Sequence, residues 1–497
     1  MANGKMAALA KDTAIYGISS IVGRFLNYLL VPVHTKYIVP ESGGYGIVSN
    51  LYAWAGLVLV VLTFGMETTY FRFANREDED DRLVYGTSLR MVGLVGLAFV
   101  ALVFAFLKPI SAAMTYSSHP EYVACFAVIG ALDAFQAIMF SRLRQQHRAV
   151  RFMALKMAFI IPNVLLNLAV FMLVPGIPAL HGIYVRFDYG VGLIFFVNLI
   201  CTLFVGLLFM NEMKGLSYGF DRQLARRMLR YAWPLLLLGV VGILNQVFDK
   251  MFYPNLVPGQ EGKVQLGIYG ACAKIALILS LLTQAFRYAY EPFVFGNTKD
   301  KDNNEVLAQG MKYFIIFGLL AFLAVMVYLP LLKYLVSNHG YWVGLKVVPI
   351  VMVAELFMGI YFNLSFWYKL IDKTWWGAVM SATGAAVMIA INVVFVPRVG
   401  YMACAWGGFA GYGVCMLMSW IIGSRYSTVS YPMKEIGMYC LYAAVITACL
   451  LVPMKGLASW LYMAIGTLLL LVYVARILKK DLPVTSLPVI GKYFRKK

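Results

Sequence analysis

Residues Arg230–Phe293 read RYAWPLLLLGVVGILNQVFDKMFYPNLVPGQEGKVQLGIYGACAKIALILSLLTQAFRYAYEPF. Two apolar runs, each long enough to cross a bilayer as a helix, flank a short polar turn. The runs also contain ionisable residues, which are Asp249, Lys250, Lys274, Arg287 and Glu291. A charge at membrane depth is costly, so such groups usually face a partner or a wet cavity and mark candidate functional sites. The stretch therefore predicts a membrane helix pair that carries function.

The N-terminal stretch Leu9–Phe73 follows the same plan. One apolar run contains Arg24, a turn follows at PESGGYG, and a second run ends near Glu67. Placing Gly46 on Gly267 aligns YGIVSNLYAWAGLVLVVL with GIYGACAKIALILSLLTQ in outline. We therefore predict two related halves, each of which opens with a helix pair that carries polar residues.

The composition excludes an ordinary soluble domain. The 497 residues are 61% hydrophobic and only 13% charged, which leaves too little polar surface to cover a globule of this size. We predict an all-α polytopic membrane protein with about fourteen transmembrane helices. The predicted spans cover about 13–38, 45–74, 89–110, 121–143, 152–174, 189–211, 231–256, 265–293, 311–335, 342–368, 373–397, 400–424, 436–453 and 457–477.

The distribution of basic residues predicts the orientation. Loops on one side of the predicted membrane hold most of the 42 Lys and Arg residues. The opposite side holds only Lys36, Lys108, Arg186, Lys263, Lys333, Lys346, Arg398 and Lys455. Cytoplasmic loops carry the excess of positive charge, so we expect both termini to be cytoplasmic. The net charge of +19 then reflects topology, and we expect no nucleic-acid partner.

Several kinds of site are absent from the sequence. The seven cysteines lie in apolar spans without a CxxC pair or a His cluster, so we predict small buried side chains, neither disulfides nor metal ligands. No GxxxxGK[ST] loop occurs, which argues against an ATP-driven pump in one chain. We expect no bound cofactor.

The candidate binding residues are cations in the first and eighth spans. Arg24 lies mid-span, with Asn27 one turn away on the same face. Lys274 lies in the outer part of the eighth span, and Gln284, Arg287 and Glu291 follow as a polar stripe nearer the cytoplasm. Arg287 and Glu291 could also form only a mutual salt bridge. By the helical period Lys274 and Arg287 lie on different faces, so they need not share one cavity.

The candidate acids are scattered over several spans. Glu67, Asp133 and Glu355 each stand alone in an apolar run, whereas Asp249 lies one turn after Asn245 in the seventh span. Each isolated acid is either a counter-ion for Arg24 or Lys274 or a proton carrier, and buried charges are usually paired. The counter-ion role is the more common one.

The chain resembles a known transporter family in the stretches AKDTAIYGISSIVGRFLNYLLVPVHTKYIVPESGGYGIVSN, RYAWPLLLLGVVGILNQVFDKMFYPN and LGIYGACAKIALILSLLTQAFRYAYEPF. They are similar to the paired signatures of Wzx-type polysaccharide flippases, which belong to the multidrug/oligosaccharidyl-lipid/polysaccharide exporter superfamily. The resemblance covers the first, second, seventh and eighth spans.

This resemblance implies two pseudo-symmetric six-helix lobes around a V-shaped central cavity, with two helices added at the C-terminus. The lobes would comprise residues 1–228 and 229–430, and residues 431–497 would form the added spans and a basic tail. The implied activity is movement of undecaprenyl-pyrophosphate-linked oligosaccharide across a bacterial inner membrane, with Arg24, Arg287 and Lys274 as pyrophosphate ligands. Coupling to H⁺ or Na⁺ and contacts with other polysaccharide assembly proteins and with membrane lipid are further expectations.

Two alternatives remain open at this stage. An ion-coupled exporter of small organic cations would need a negatively charged cavity, against which Arg24 and Lys274 argue. A membrane-embedded polymerase or glycosyltransferase would need a sizeable outer loop, and the predicted outer loops are short.

Overall fold

The computed structural model describes residues 22, 26, 28–77, 79–213, 220–296, 303–371, 373–451 and 458–481, and the regular elements in these ranges are all helical. The first helices are α1 (Leu30–Tyr37), α2 (Gly44–Thr63), α3 (Met66–Ala74), α4 (Asp81–Ala105), α5 (Leu107–Ala113), α6 (Pro120–Gln145), α7 (Ala149–Met172), α8 (Pro178–Arg186), α9 (Val191–Leu208) and α10 (Arg222–Met251). The remaining helices are α11 (Tyr253–Leu256), α12 (Gln260–Gly296), α13 (Asn303–Leu332), α14 (Val348–Leu364), α15 (Phe366–Leu370), α16 (Trp375–Val399), α17 (Met402–Gly423), α18 (Met433–Leu451) and α19 (Ser459–Lys480). Short 3₁₀ segments occur at Pro40–Ser42, Val174–Gly176, Phe209–Met213, Lys333–Leu335 and His339–Val347.

The described residues contain 13 helical segments that are long and apolar enough to cross a membrane. They coincide with the predicted spans from the second to the last, which confirms the prediction of a multi-pass helical membrane protein. Helices suit this setting because every backbone polar group is satisfied within the segment. Most of the predicted first span lies outside the described residues, which include α1 at its end.

The second and seventh spans differ from the prediction in their local form, and the third also starts earlier, at Asp81. The second span is broken, because Phe64 (φ 35°) and Gly65 (φ 72°) adopt left-handed conformations between α2 and α3. A side chain at Gly65 would also clash with α10, since its Cβ would lie 2.7 Å from the Cβ of Leu235. The seventh span starts earlier than predicted, at Arg222, where the Asp221 carboxylate caps α10 by accepting from two backbone N–H groups.

The chain divides into two compact units. The first contains described residues of Met1–Lys274, Val336–Gly344 and Ala378–Gly411, and the second contains those of Ile275–Leu335, Leu345–Gly377 and Tyr412–Lys497. In the first unit α6 packs against α4, α2 and α9, while α10 packs along α2. Its core includes fully buried aromatic side chains such as Tyr70, Tyr85 and Phe209. In the second unit α13 packs against α14, α18 and α19.

Within the first unit, α2 and α12 cross at glycines. A Cβ on Gly46 would overlap the carbonyl oxygen of Lys263, and one on Gly267 would lie 3.0 Å from the backbone nitrogen of Gly46. Small residues allow such close backbone approach in membranes. Gly46 and Gly267 are the two positions that the internal alignment equates. The internal alignment thus equates two positions whose backbones are in contact.

Within the second unit, a buried ion-pair cluster holds the two C-terminal helices to α13. Lys312 Nζ contacts carboxylate oxygens of Glu435 and Asp481, and Tyr439 donates to Asp481. The side chains of Lys312 and Asp481 are only 9% and 1% exposed. Burial by itself would raise the pKa of Asp481, but the hydrogen bonds from Lys312 and Tyr439 outweigh it and hold this pKa below its usual range.

The cysteines are free thiols. Cys125, Cys201, Cys272, Cys404 and Cys415 are buried, as predicted. Cys440 is exposed and Cys449 is half-buried, so the expectation of burial is wrong for Cys440. Cys440 lies on α18. An apolar side chain that the protein leaves exposed on a membrane helix can be covered by lipid.

Candidate functional site

The first candidate cluster lies in the first unit around Lys274, in the middle part of α12. Lys274 is partly buried, and its backbone carbonyl accepts a hydrogen bond from Tyr28. Among the described residues no acid lies within salt-bridge distance of its ammonium group. The groups that act on it electrostatically are instead basic, because Lys250 and His34 are both close enough to interact with its charge. Lys274 is therefore a basic side chain at membrane depth without an acidic partner in the described part of the chain.

His34 is fixed beside this cluster by neutral contacts. Its Nε2 lies 3.2 Å from the amide oxygen of Asn167, and its ring packs against Phe171 with the centroids 5.2 Å apart. These contacts bury the imidazole almost completely. The ring thus adds polar surface near Lys274 without adding a negative charge.

Asp249 has a structural role in the same unit. Its carboxylate accepts from Tyr269 at 2.7 Å and lies 3.2 Å from the ammonium of Lys250. Asn50 ties this helix end to α2, since its amide donates to the carbonyls of Lys250 and Met251 at 2.6 and 2.7 Å. The oxygens of Asp249 are therefore already engaged by protein donors, which fits a counter-ion better than an exchangeable proton site.

The side-chain oxygen of Asn50 also has a partner. Tyr116 donates to it at 2.8 Å from the loop before α6. Burial raises the pKa of Tyr116, so its hydroxyl stays protonated and remains a donor at any physiological pH. Asn50 thus joins three chain segments of the first unit.

Glu67 lies beside the break in the second span. Arg144 at the end of α6 pairs with it at 3.0 Å, and Ser141 approaches the same carboxylate oxygen at 3.4 Å. The pair lines a cavity of about 300 Å³ together with Val60, Thr63, Gly65, Thr68, Phe71, Leu235 and Gly239. The predicted partners of Glu67 were Arg24 and Lys274, but within the described residues its partner is Arg144.

Asp133 lies in the middle of α6 and is partly buried. The nearby groups that act on it are the ammonium of Lys156 on α7 and Thr202 on α9. Lys156 also stands over the ring of Phe140 at 4.1 Å. Its partner again differs from the predicted one, since Lys156 and not Lys274 compensates its charge in the described part of the chain.

The second candidate cluster lies in the second unit and contains the predicted pair of Arg287 and Glu291. Arg287 Nη2 lies 3.9 Å from Glu291 Oε1, and Lys369 Nζ approaches the same oxygen at 3.7 Å. Arg287 stands over the ring of Phe362 at 4.1 Å. Arg287 and Glu291 lie within ion-pair distance, as the i, i+4 spacing allows, and a second cation shares the acid.

The remaining predicted residues occupy varied positions. Asn245 is buried in the first unit, and its amide approaches the carbonyl of Ser381 at 3.4 Å. Gln284 has a buried amide oxygen for which the described chain supplies no donor. Glu355 is partly buried on α14. Arg24 and Asn27 lie outside the described residues, so their predicted roles remain predictions.

Sequence reasoning missed three cations near the predicted acids. Arg144 and Lys369 form ion pairs with Glu67 and Glu291, and Lys156 acts electrostatically on Asp133. All three lie near predicted cytoplasmic loops, where Lys and Arg are expected for topological reasons. The only available signal was the presence of acids at a similar depth in other spans. A sequence without contacts cannot show which basic residue reaches which acid.

Comparisons with known proteins place this arrangement in a family. The profile of the polysaccharide biosynthesis protein family matches residues 9–289, which is more than half of the chain. No curated protein sequence matches the chain.

The fold is shared with solved transporters. The structure titled "Lipid II flippase MurJ, inward closed conformation" matches with a TM-score of 0.74 at 14% identity, over 94% of this chain and 99% of that one. A multidrug resistance MATE family transporter of the MOP superfamily, in an inward-facing conformation, matches with a TM-score of 0.63 at 14% identity, over 84% of this chain and 95% of that one.

A third solved transporter also shares the fold. A MOP superfamily transporter from Pyrococcus furiosus, described as having a binding pocket of reverse polarity, matches with a TM-score of 0.57 at 15% identity, over 84% of this chain and 95% of that one. At these identities the matches establish a common fold. The two-lobed helical fold implied by the resemblance is therefore confirmed, and the chain belongs to the polysaccharide biosynthesis protein family, with the fold of the MurJ and MATE transporters.

Proposed function

We propose that the protein is a flippase for undecaprenyl-pyrophosphate-linked oligosaccharide. It moves this lipid from the cytoplasmic to the periplasmic leaflet of a bacterial inner membrane, for O-antigen, capsule or exopolysaccharide synthesis. The observation that carries the proposal is Lys274, a cation at membrane depth that lies near Lys250 and His34 and has no acid partner among the described residues. Membership of the polysaccharide biosynthesis protein family supports the same substrate class.

The physical task explains why uncompensated cations are useful. A pyrophosphate is multiply charged and cannot cross hydrocarbon without replacement of its hydration shell. Lys and Arg side chains in a wet cavity supply strong charge-assisted hydrogen bonds, while the prenyl chain stays in the lipid. In this proposal Arg24 and a cation of the eighth span contact the pyrophosphate, with Lys274 and Arg287 as separate candidates for the second ligand, and Asn27, Asn245 and Gln284 contribute polar surface. The halves then rock about the substrate in alternating access, as in other transporters built from repeats.

We propose the predicted lobes, residues 1–228 and 229–430, as the moving parts, with residues 431–497 as an addition. Both termini are cytoplasmic in this arrangement. The protein acts as a transporter without a catalytic step, and its partners are the lipid-linked oligosaccharide, the surrounding membrane lipid and other polysaccharide assembly proteins.

The experiment is a measurement of lipid-linked oligosaccharide on the cytoplasmic leaflet of cells that lack the protein. The deletion is expected to cause a build-up, wild type to clear it, and Arg24→Ala to clear it poorly while still reaching the membrane at a normal level. Absence of any build-up in the deletion would remove lipid-linked oligosaccharide as the substrate. Clearance by Arg24→Ala at the wild-type rate would remove Arg24 from the working cavity.

We further propose that a H⁺ or Na⁺ gradient drives transport through Asp133. Asp249 and Glu67 are each engaged by protein donors at short distance, whereas Asp133 lies at mid-helix near Lys156, Thr202 and Tyr52. An acid with few fixed donors is the better place for an exchangeable cation.

Reconstituted protein tests this coupling. Transport into liposomes is expected to rise when a H⁺ or Na⁺ gradient is imposed, and Asp133→Asn is expected to lose that response. Glu121→Gln is a suitable control, because Glu121 lies on the same helix but pairs with His119 at its end. A wild-type response to both gradients in Asp133→Asn would contradict the assignment.

An ion-coupled exporter of small organic molecules is the second candidate. The specific observation in its favour is the cavity beside Glu67, together with the fold shared with a MATE family transporter. Arg144 neutralises Glu67 within that cavity, which weakens it as a site for organic cations. Drug efflux from cells that express the protein, in the absence of any effect on lipid-linked oligosaccharide, would favour this candidate over the flippase.

A further inference from the structure

Lys369 joins Arg287 on a single carboxylate of the second unit. Lys369 lies near the end of α15, and Arg287 and Glu291 lie one turn apart on α12. The two cations approach the same Glu291 oxygen at 3.7 and 3.9 Å. Charge-assisted hydrogen bonds between nitrogen and carboxylate are usually about 2.7–2.9 Å long. Glu291 therefore holds both cations loosely.

Aromatic rings hold the two cations independently of Glu291. The Arg287 guanidinium lies 4.1 Å from the centroid of Phe362, and Lys369 Nζ lies 4.6 Å from the same ring and 5.1 Å from that of Phe366. Phe362 and Phe366 belong to a buried cluster with Tyr290. Cation–π contacts of this kind fix a cation over a rigid support. Both cations would keep their positions if Glu291 released them.

The cluster carries an excess of positive charge that solvent or lipid can reach. It contains two cations and one acid, and no other acid of the described chain acts on Lys369. The side chains of Arg287, Glu291 and Lys369 are 47%, 32% and 27% exposed. An uncompensated and accessible charge favours binding of an anion.

We propose that Arg287 and Lys369 form a two-cation subsite for a diphosphate group, and that Glu291 is the resident counter-ion that the diphosphate displaces. The proposal rests on the proposed function and adds Lys369 and the role of Glu291 to it. A diphosphate can place one phosphate on each cation, and the planar guanidinium can bind its phosphate with two hydrogen bonds. The Glu291 carboxylate then rotates away from the two cations and is hydrated by the water that the diphosphate has released.

The proposal predicts opposite effects for two substitutions in the same cluster. Lys369→Gln removes one phosphate ligand and is expected to weaken binding of undecaprenyl diphosphate about tenfold. Glu291→Gln removes the competing anion and is expected to tighten it several-fold. Lys373→Gln is the matched control, because Lys373 lies in the next loop and also stands over an aromatic ring, that of Tyr426 at 4.5 Å. It is expected to bind as wild type does.

Binding is measured with the full-length protein in lipid nanodiscs, with thermal melting to establish that each variant is folded. Undecaprenyl diphosphate is the probe, and undecaprenyl monophosphate, phosphatidylglycerol and inorganic pyrophosphate are compared with it. The subsite is supported if undecaprenyl diphosphate and inorganic pyrophosphate bind more strongly than undecaprenyl monophosphate and phosphatidylglycerol. Stronger binding of undecaprenyl diphosphate than of inorganic pyrophosphate assigns the subsite to the lipid-linked substrate.

Different results would contradict the subsite and the proposed function. If folded Lys369→Gln binds undecaprenyl diphosphate as wild type does, or if Glu291→Gln weakens binding, the subsite is wrong although the proposed function stands. If Lys369→Gln reduces phosphatidylglycerol binding equally, the pair is a site for bulk lipid headgroups and its diphosphate role is overturned. If wild type binds no undecaprenyl diphosphate at all, the proposed function itself fails.

Discussion

At the scale of single residues, the structure sorts the charged groups by whether they are compensated. Glu67 pairs with Arg144, and Asp249 with Lys250 and Tyr269, so these acids are fixed parts of the helix packing. Lys274 lacks such a partner in the described chain, and Lys369 shares one with Arg287. An isolated charge at membrane depth persists only where function requires it, because substitution by an apolar residue would stabilise the bundle.

The buried ion pair between Lys312 and Asp481 is expected to stabilise the folded protein, and substitution of Asp481 tests this. Asp481→Asn leaves Glu435 as the carboxylate partner of Lys312 but removes the ionised acceptor for Lys312 and Tyr439, so it is expected to destabilise the protein by about 1–3 kcal/mol. Thermal melting of purified protein measures the loss. Lys434→Gln, which alters an exposed lysine beside the same cluster, is expected to leave the melting temperature unchanged.

The stabilisation that ionised Asp481 provides is expected to be lost as the pH falls. Because the pKa of Asp481 is lower in the folded protein than in the unfolded chain, ionisation stabilises the folded state. The contribution is fully present above the unfolded pKa of about 4 and is lost as the pH falls through the lower folded pKa. The melting temperatures of wild type and Asp481→Asn should therefore differ by a constant amount near neutral pH and converge only in strong acid. Convergence between pH 6 and 8 would contradict the assignment.

At the scale of helices, close packing depends on glycine at a few positions. Gly65 permits the left-handed break between α2 and α3, and Gly46 and Gly267 let α2 and α12 touch through their backbones. The sequence alignment of the two halves pointed to Gly46 and Gly267 as equivalents, but not to their contact. Such a contact depends on how two helices cross, which hydropathy does not encode.

Substitution of Gly46 tests this crossing. A methyl group at this position would overlap the carbonyl oxygen of Lys263, a backbone atom that cannot move alone. Gly46→Ala is therefore expected to destabilise the protein by about 1–3 kcal/mol, seen as a lower melting temperature. Gly56→Ala on the same helix is the control, because its Cβ would meet only Ile243 at 3.4 Å, an ordinary contact. Equal melting temperatures for wild type and Gly46→Ala would show that the helices are not in contact there.

At the scale of the whole molecule, hydropathy and charge bias predicted the spans well because the bilayer imposes length and polarity on each helix separately. The early start of α10 escaped prediction, since its first turns are polar and are stabilised by a cap at Asp221. The candidate site was predicted only in part. Lys274, Arg287 and Glu291 stood out as charges in apolar runs, whereas Lys369 belongs to a span end where a lysine is unremarkable until its partner is known.

We propose that uncompensated cations at membrane depth carry a lipid-linked pyrophosphate across the membrane. The most direct measurement is the amount of lipid-linked oligosaccharide on the cytoplasmic leaflet of deletion cells that express wild type, Lys274→Arg or Lys274→Gln at equal membrane levels. Wild type is expected to clear the build-up, Lys274→Arg to clear it in large part, and Lys274→Gln to leave it in place. Clearance by Lys274→Gln at the wild-type rate would contradict the claim.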